Sequence, residues 1–300
     1  MTLATLNYIG RFAPSPTGPL HLGSLYTALA SFLEARSQQG QWLLRIEDLD
    51  PPREQPGATQ AILQSLQAHG LHWDGDVIFQ SQQSQRYENL IQQLLSDNKA
   101  FYCDCSRQQL KPLQGFYSAA CQSKSFADTR NKAIRFKSLN LDMHFDDTIQ
   151  GRQLSEPIPE GSVNDFVIKR RDGLYAYMLA VVIDDIEQNI SHIVRGSDIL
   201  PSTFKQLELY QCFEHKAPHY THLPVITGEN GQKLSKQNLA PAIKNEDARQ
   251  NLLNCLKLLR QPLPENASQQ SITQLLAHAT KHWDIKRIAA KLDINSTADD

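Results

Sequence analysis

The sequence lacks most of what would announce a membrane protein, a secreted protein or a nucleic-acid binder working through bulk charge. Its longest apolar run, Leu174 to Ile183, covers ten residues, well short of the ~18 that a spanning helix needs, so no membrane partner is expected. The first residues show no basic stretch followed by an apolar core, so no secretory signal is expected either. Five cysteines is an odd number for a chain of 300 residues. That argues against a disulfide framework and for a reducing cytoplasm. The formal charge is only −2, so there is no global basic footprint, and any RNA contact must use a local patch. Candidates are Lys124, Arg130, Lys132, Arg135 and Lys137, then the run Lys169-Arg170-Arg171, each a solvated face by default. No internal repeat and no long low-complexity segment occurs. The length allows one large or two modest domains with ample core.

What is present is concentrated near the start, in Arg11-Phe12-Ala13-Pro14-Ser15-Pro16-Thr17-Gly18-Pro19-Leu20-His21-Leu22-Gly23-Ser24. This stretch joins a short apolar strand, around Tyr8 to Arg11, to an amphipathic helix on which Leu25, Tyr26, Leu29, Phe32 and Leu33 recur at helical spacing. Gly40 is expected to end that helix, and Trp42 to Ile46 reads as the next strand. Strand, loop, helix, strand is a βαβ unit, and parallel α/β sheets bind ligands beyond the carboxyl ends of their strands. A helix N-terminus attracts phosphate through its unpaired N–H groups and its dipole. Gly23 lets a ring or phosphate approach backbone, His21 adds a donor, and the prolines stiffen the loop. Taken alone, His21 is a surface histidine on a Pro/Gly connection.

Further along, Glu47 to Arg53 forms an acidic loop at a strand's carboxyl end, and helices are expected around Ile62 to Leu66 and Tyr87 to Leu95. From Ala100 to about Glu160 the pattern changes to short strands and turns, read as an inserted subdomain. A hairpin turning at Arg171-Asp172-Gly173, strands near Leu179 to Ile183 and Ile190 to Val194, and a helix from Pro201 to about Phe213 follow. Leu223 to Ile226 leads into a Gly-rich loop carrying Lys233-Leu234-Ser235-Lys236. The remainder, from about Asn245, is helical by pattern, with fraying expected over Thr297 to Asp300.

Three groups of residues carry possible chemistry. A lysine in the 233–236 loop can neutralise charge that builds on phosphates during in-line displacement, although two lysines around Leu-Ser are by themselves only an exposed loop. Arg11 and Glu47 lie at strand ends beside the loop, Arg195 ends a later strand, and Tyr177 offers a hydroxyl. An amino acid with two carboxylates needs an arginine fork and an anionic partner for its ammonium; otherwise these are surface ion pairs and a core tyrosine. Cys103, Cys105 and Cys121 fall within nineteen residues, a spacing that suits tetrahedral zinc but lacks a standard fourth ligand, so three free thiols remain an alternative. Cys212 and Cys255 stand alone as ordinary buried thiols.

The string Arg-Phe-Ala-Pro-Ser-Pro-Thr-Gly with His-Leu-Gly-Ser resembles the first signature of class I aminoacyl-tRNA synthetases in its glutamyl/glutaminyl version, and Lys-Leu-Ser-Lys resembles the second. The resemblance spans about residues 7 to 240. It implies an α/β class I fold: a Rossmann-like parallel sheet in residues 1–99 and 166–240, a zinc-bearing insert in 100–165 and a helical C-terminal region in 241–300. It implies that His21, Gly23, Ser24, Lys233 and Lys236 act in catalysis, with His21, Gly23 and Lys236 on ATP. Arg11, Phe12, Ala13, Pro14, Ser15, Glu47, Tyr177 and Arg195 would hold L-glutamate, Glu47 taking the ammonium and Arg195 selecting the acid over the amide. A branch of the family binds one structural zinc through Cys-x-Cys and Tyr-x-x-x-Cys, which would make Tyr117 the fourth ligand beside Cys103, Cys105 and Cys121.

Only about sixty residues follow the lysine loop, too few for the helical anticodon-reading domain of full-length enzymes. The resemblance is therefore to a shortened bacterial branch. Its members activate glutamate with ATP and Mg2+ without needing tRNA, then esterify it to the queuosine base of the tRNA(Asp) anticodon. A cytoplasmic monomer is expected. The rivals are a discriminating synthetase charging the 3′ end of tRNA(Glu), a nucleotidyltransferase of related fold, and a decayed, non-catalytic binding module.

Overall fold

The computed structural model describes residues 8–113, 116–228 and 241–295. Lys233 and Lys236 lie outside the described residues, as do Thr297 to Asp300. The chain starts with β1 (Ile9–Phe12), α1 (Leu22–Ser37) and β2 (Gln41–Ile46). β1 and β2 pair in parallel, Gly10 opposite Trp42 and Phe12 opposite Leu44, so the expected βαβ unit forms. Leu25, Tyr26, Leu29, Phe32 and Leu33 are all buried. They form the stripe that seats α1 on the sheet. After α2 (Ala58–Ala68), β3 (Ile78–Phe79) extends the sheet beside β2, again in parallel.

α3 (Ser84–Ser96) leads into the region of short strands. β4 (Ala100–Cys103), the four-residue α4 (Arg107–Leu110) and β5 (Ala133–Phe136) come first, then a hairpin of β6 (His144–Asp147) and β7 (Gly151–Leu154). β8 (Phe166–Lys169) closes an antiparallel sheet in the order β4-β5-β8. The turn at residues 171–173 is the expected one, with Arg170 N–H donating to Leu174 O.

The strand expected at Leu179 to Ile183 is instead the middle of a helix, α5 (Tyr177–Glu187). Every residue from Leu179 to Asp185 is buried. A helix covered on all sides shows no amphipathic period, and a five-residue apolar run does not distinguish it from a buried strand. β9 (His192–Gly196) then pairs in parallel with β10 (His219–Leu223), the two joined through α6 (Ser202–Cys212). Ser191 N–H donates to Ile9 O at 2.9 Å, which sets β9 beside β1. Beyond β11 (Val225–Thr227) come α7 (Ala248–Leu258) and α8 (Ile272–Lys281), both packed on α1. The C-terminal segment is not helical throughout, because β12 (Asp293–Asn295) returns to pair in parallel with β11.

The end of α1 also departs from expectation. Gln39 N–H donates to Arg36 O and Gly40 N–H to Ala35 O, a Schellman closure with Gln39, not Gly40, in the left-handed conformation at φ 55°. Gly40 is required for space instead: a Cβ there would sit 2.4 Å from Tyr8 O. Gln39→Gly should therefore raise stability by about 0.5–1 kcal/mol. Gly40→Ala should lower it by about 1–3 kcal/mol. Denaturant midpoints of the two variants check both signs.

Candidate active site

A cleft of about 270 Å3 opens between the N-terminus of α1 and the carboxyl ends of β9 and β10, with Ser15, His21, Gly23, Gly196, Asp198 and Pro224 among its walls. His21 caps α1: its Nδ1 accepts from Ser24 N–H at 3.3 Å. That leaves Nε2 as the protonated ring nitrogen, 3.0 Å from Ser24 Oγ. The loop is anchored to the next strand by Glu47 N–H donating to Pro14 O at 3.1 Å. Phe12 is buried against Trp42, ring centroids 6.3 Å apart, and braces the base of the cleft. His21, Gly23, Ser24, Phe12, Pro14 and Ser15 thus converge on one cavity.

Beneath it lies a buried network of charge. Arg11 donates through Nε and Nη2 to the two oxygens of Asp185, at 3.1 and 3.2 Å. Arg45 Nη2 lies 2.8 Å from the same Asp185 and 3.6 Å from Glu47 Oε1. Burial pushes the Asp185 carboxyl up, but Arg11 and Arg45 outweigh it and hold the group below the usual range. Glu47 is less well compensated. Its Oε1 is buried and accepts no hydrogen bond among the described residues. Burial pushes its pKa up to about 7, with Arg45 and Arg11 pulling the other way. Adjacent Asp184 accepts from Tyr87 OH at 2.8 Å and Gln80 Nε2 at 2.7 Å.

Arg195 is a different case. It is 4% exposed, and all its partners are neutral. Nε donates to His222 Nε2 at 2.9 Å, Nη1 to Gln206 Oε1 at 2.8 Å and Tyr177 OH at 3.4 Å, and Nη2 to Thr203 Oγ1 at 2.7 Å. No carboxylate pairs with it among the described residues. His222 can accept from Arg195 only as the tautomer protonated at Nδ1, and that proton is directed at Asp147 Oδ2, 2.7 Å away. Burial lowers the His222 pKa, which keeps the ring neutral. Asp147, at the end of β6, also accepts the N–H groups of His222, Ile149 and Gln150.

Of the residues expected to hold an amino acid, Arg195 and Tyr177 touch directly. Arg11 and Glu47 are linked through Arg45 and Asp185, and Glu47 and Arg11 both act electrostatically on the Tyr177 hydroxyl. Sequence reasoning missed Asp185, His222 and Asp147. Two adjacent acids inside an apolar run were the only signal for Asp185.

Cys103, Cys105 and Cys121 bring their sulfurs within 4.8 Å of one another. Tyr117 OH sits 3.5 Å from Cys103 Sγ and 3.6 Å from Cys105 Sγ, and Cys105 and Cys121 are 3.5 Å apart. Tetrahedral zinc, with sulfur at about 2.3 Å and oxygen at about 2.0 Å, separates its ligands by roughly 3.5–3.8 Å. The donor set is compatible with a metal. Asp104 Oδ1 approaches Cys121 Sγ to 3.2 Å but is exposed and paired with Lys124.

A family model described as tRNA synthetases class I (E and Q), catalytic domain, matches residues 9–278. The chain belongs to that family. A protein of Pectobacterium atrosepticum named glutamyl-Q tRNA(Asp) synthetase is 46% identical over 98% of this chain and 90% of its own length. A Vibrio cholerae protein of the same name is 46% identical over 96% of this chain and 94% of its own. Within the class I branch the chain groups with these glutamyl-Q tRNA(Asp) synthetases. Among solved structures, a glutamate tRNA ligase from Elizabethkingia meningosepticum, in complex with its amino acid, superposes with a TM-score of 0.75 at 25% identity. The match covers 97% of this chain and 67% of that one. No helix among the described residues is long and apolar enough to cross a membrane.

The Glu47 environment makes a stability prediction. Its carboxyl ionises near pH 4.5 when unfolded and at about 7 when folded. The folded state therefore binds more protons between those values. The stabilisation is complete below about pH 4.5 and is lost as pH rises through 7. Glu47→Gln should flatten that slope, gaining on the parent protein as pH rises from 5 to 8. Urea titrations at several pH values read this directly, and parallel curves would contradict it.

Proposed function

We propose that this chain activates L-glutamate with ATP, without tRNA present, and transfers the glutamyl group to the queuosine base in the anticodon of tRNA(Asp). The observation that carries the reading is Arg195: a buried guanidinium with only neutral partners is costly unless an anion completes it. A side-chain carboxylate beside Tyr177 is such an anion; an amide would leave the charge uncompensated. That is the physical basis for choosing glutamate over glutamine.

Glu47 then receives the ammonium, and Arg11 lines the pocket with Phe12, Ala13, Pro14 and Ser15. An α-carboxylate oxygen of glutamate attacks the α-phosphorus of ATP, the bond to the β-phosphate bridge breaks, and pyrophosphate leaves. His21, Ser24 and the backbone at Gly23 receive the nucleotide at the start of α1, where the dipole favours phosphate. Lys236, supported by Lys233, neutralises the charge that grows on the leaving group. Mg2+ accompanies the ATP. A hydroxyl of queuosine next attacks the acyl carbonyl, and AMP departs with the bonding electrons.

In the same reading, residues 1–99 and 166–240 are the two halves of the catalytic domain, with an insert at 100–165 and a C-terminal region from 241 in which α7 and α8 are followed by β12. Cys103, Cys105, Tyr117 and Cys121 hold one zinc with no position left for water, so its contribution is structural. The enzyme is a cytoplasmic monomer.

Labelled glutamate should transfer to tRNA(Asp) bearing queuosine and not to the unmodified tRNA, with nuclease mapping placing the label in the anticodon. Label at the 3′ end of tRNA(Glu) would replace this reading with the ordinary charging reaction. Lys236→Ala should depress glutamate-dependent ATP–pyrophosphate exchange by orders of magnitude while circular dichroism stays unchanged. Cys103→Ser should lower metal content and melting temperature more than it changes the KM for glutamate.

A further inference from the structure

An anticodon loop reaching the cleft must lay charged backbone on the surrounding surface, where cations without a carboxylate partner are the first candidates to receive it. Seven of the eight cations named from the sequence are already engaged. Lys124 pairs with Asp104, Arg130 with Asp128, Lys169 with Glu88 and Arg170 with Asp172. Lys132 lies over the Phe126 ring, Arg135 is buried over Tyr117, and Arg171 donates to Cys105 O.

A second groove, of about 400 Å3, runs between the end of α7 and β12. Lys257, Arg260 and Lys291 line it, together with Thr227, Asp293 and Asn295. Among the described residues none of the three cations forms an ion pair. The last turn of a helix favours a cation for its dipole, which accounts for Lys257, with Arg260 just beyond the C-cap of α7. It does not account for Lys291, which comes from the opposite wall just before β12. Across residues 241–300 the charges nearly balance, eight Lys or Arg against seven Asp or Glu, so the positive charge is local to the groove, where the three cations face the single carboxylate of Asp293. Pro224 lines this groove and the nucleotide cleft alike, so the two sites share a wall at the start of β11.

We infer that this groove seats the phosphodiester backbone of the tRNA(Asp) anticodon arm, with Lys257, Arg260 and Lys291 each facing phosphate while the reacting base enters the cleft across Pro224. The inference rests on the function proposed above and adds the surface that its RNA substrate uses. Backbone contacts of this kind set register and affinity without reading bases.

The test is the triple variant Lys257→Gln, Arg260→Gln, Lys291→Gln, which removes charge at near-constant size. Binding of a labelled tRNA(Asp) anticodon stem-loop, read by fluorescence anisotropy, should weaken about tenfold or more. The slope of log affinity against log salt should become shallower by about 2, as expected for three phosphates on a single strand. ATP–pyrophosphate exchange without tRNA should be unchanged, which shows that the fold and the adenylate site are intact. Stem-loop binding within twofold of the parent protein, or a parent protein that binds no stem-loop, overturns the groove. Glutamyl transfer by the parent protein is scored separately: loss of RNA binding in the variant alongside no transfer by the parent refutes the proposed reaction and leaves the groove standing.

Discussion

One buried carboxylate, Asp185, faces two buried guanidiniums, and the rest of the site depends on how it divides itself between them. It holds Arg11 through both oxygens and reaches Arg45 at 2.8 Å. Among the described residues Arg11 has no other carboxylate partner, and an unpaired buried charge costs several kcal/mol; Arg45 also lies 3.6 Å from Glu47 and 3.8 Å from Asp184. Since Asp185 is fully used, nothing remains for Arg195, whose held position is built from His222, Gln206, Thr203 and Tyr177. The division is between charges settled by folding and a charge that, on the proposed assignment, the substrate carboxylate settles.

Asp147 extends the same logic outward. It comes from the β6–β7 hairpin, and it fixes the tautomer of His222, which in turn presents a lone pair to Arg195. A carboxylate placed directly on Arg195 would neutralise it. A carboxylate placed one imidazole away orients it without neutralising it. The hairpin is thereby tied electrostatically to the sheet it packs on, and a segment that looks like surface decoration helps define the pocket.

What was legible in the sequence was local. The strand, Pro-rich loop and helix from Ile9 to Ser37 announce themselves because strand, cap and stripe are all set by near neighbours. The Cys103, Cys105 and Cys121 cluster is visible for the same reason. The buried network was not, because Arg11 meets Asp185 across 174 positions and His222 meets Asp147 across 75. No periodicity records such pairings. α5 was misread because burial on every side erased its amphipathic signature. At Gly40 the residue was noticed and its reason mistaken: the left-handed turn falls on Gln39, and the glycine is there to clear Tyr8 O.

On the proposed assignment, Glu47 suits the site to a zwitterion with an extra acid. With a pKa near 7, the empty site at neutral pH is poised between a neutral and a charged carboxyl. On the proposed assignment the substrate's ammonium favours the charged form and its side-chain carboxylate pairs with Arg195. Each ligand charge therefore meets a site charge that folding had left incompletely compensated. Arg11 and Arg45 keep their partners in Asp185, whereas Glu47 has only the 3.6 Å approach of Arg45 and Arg195 only neutral acceptors. A neutral side chain in place of the carboxylate would still satisfy Glu47 but would strand Arg195. On that assignment discrimination follows from a desolvated charge rather than from shape, and it survives the near-identical volumes of acid and amide.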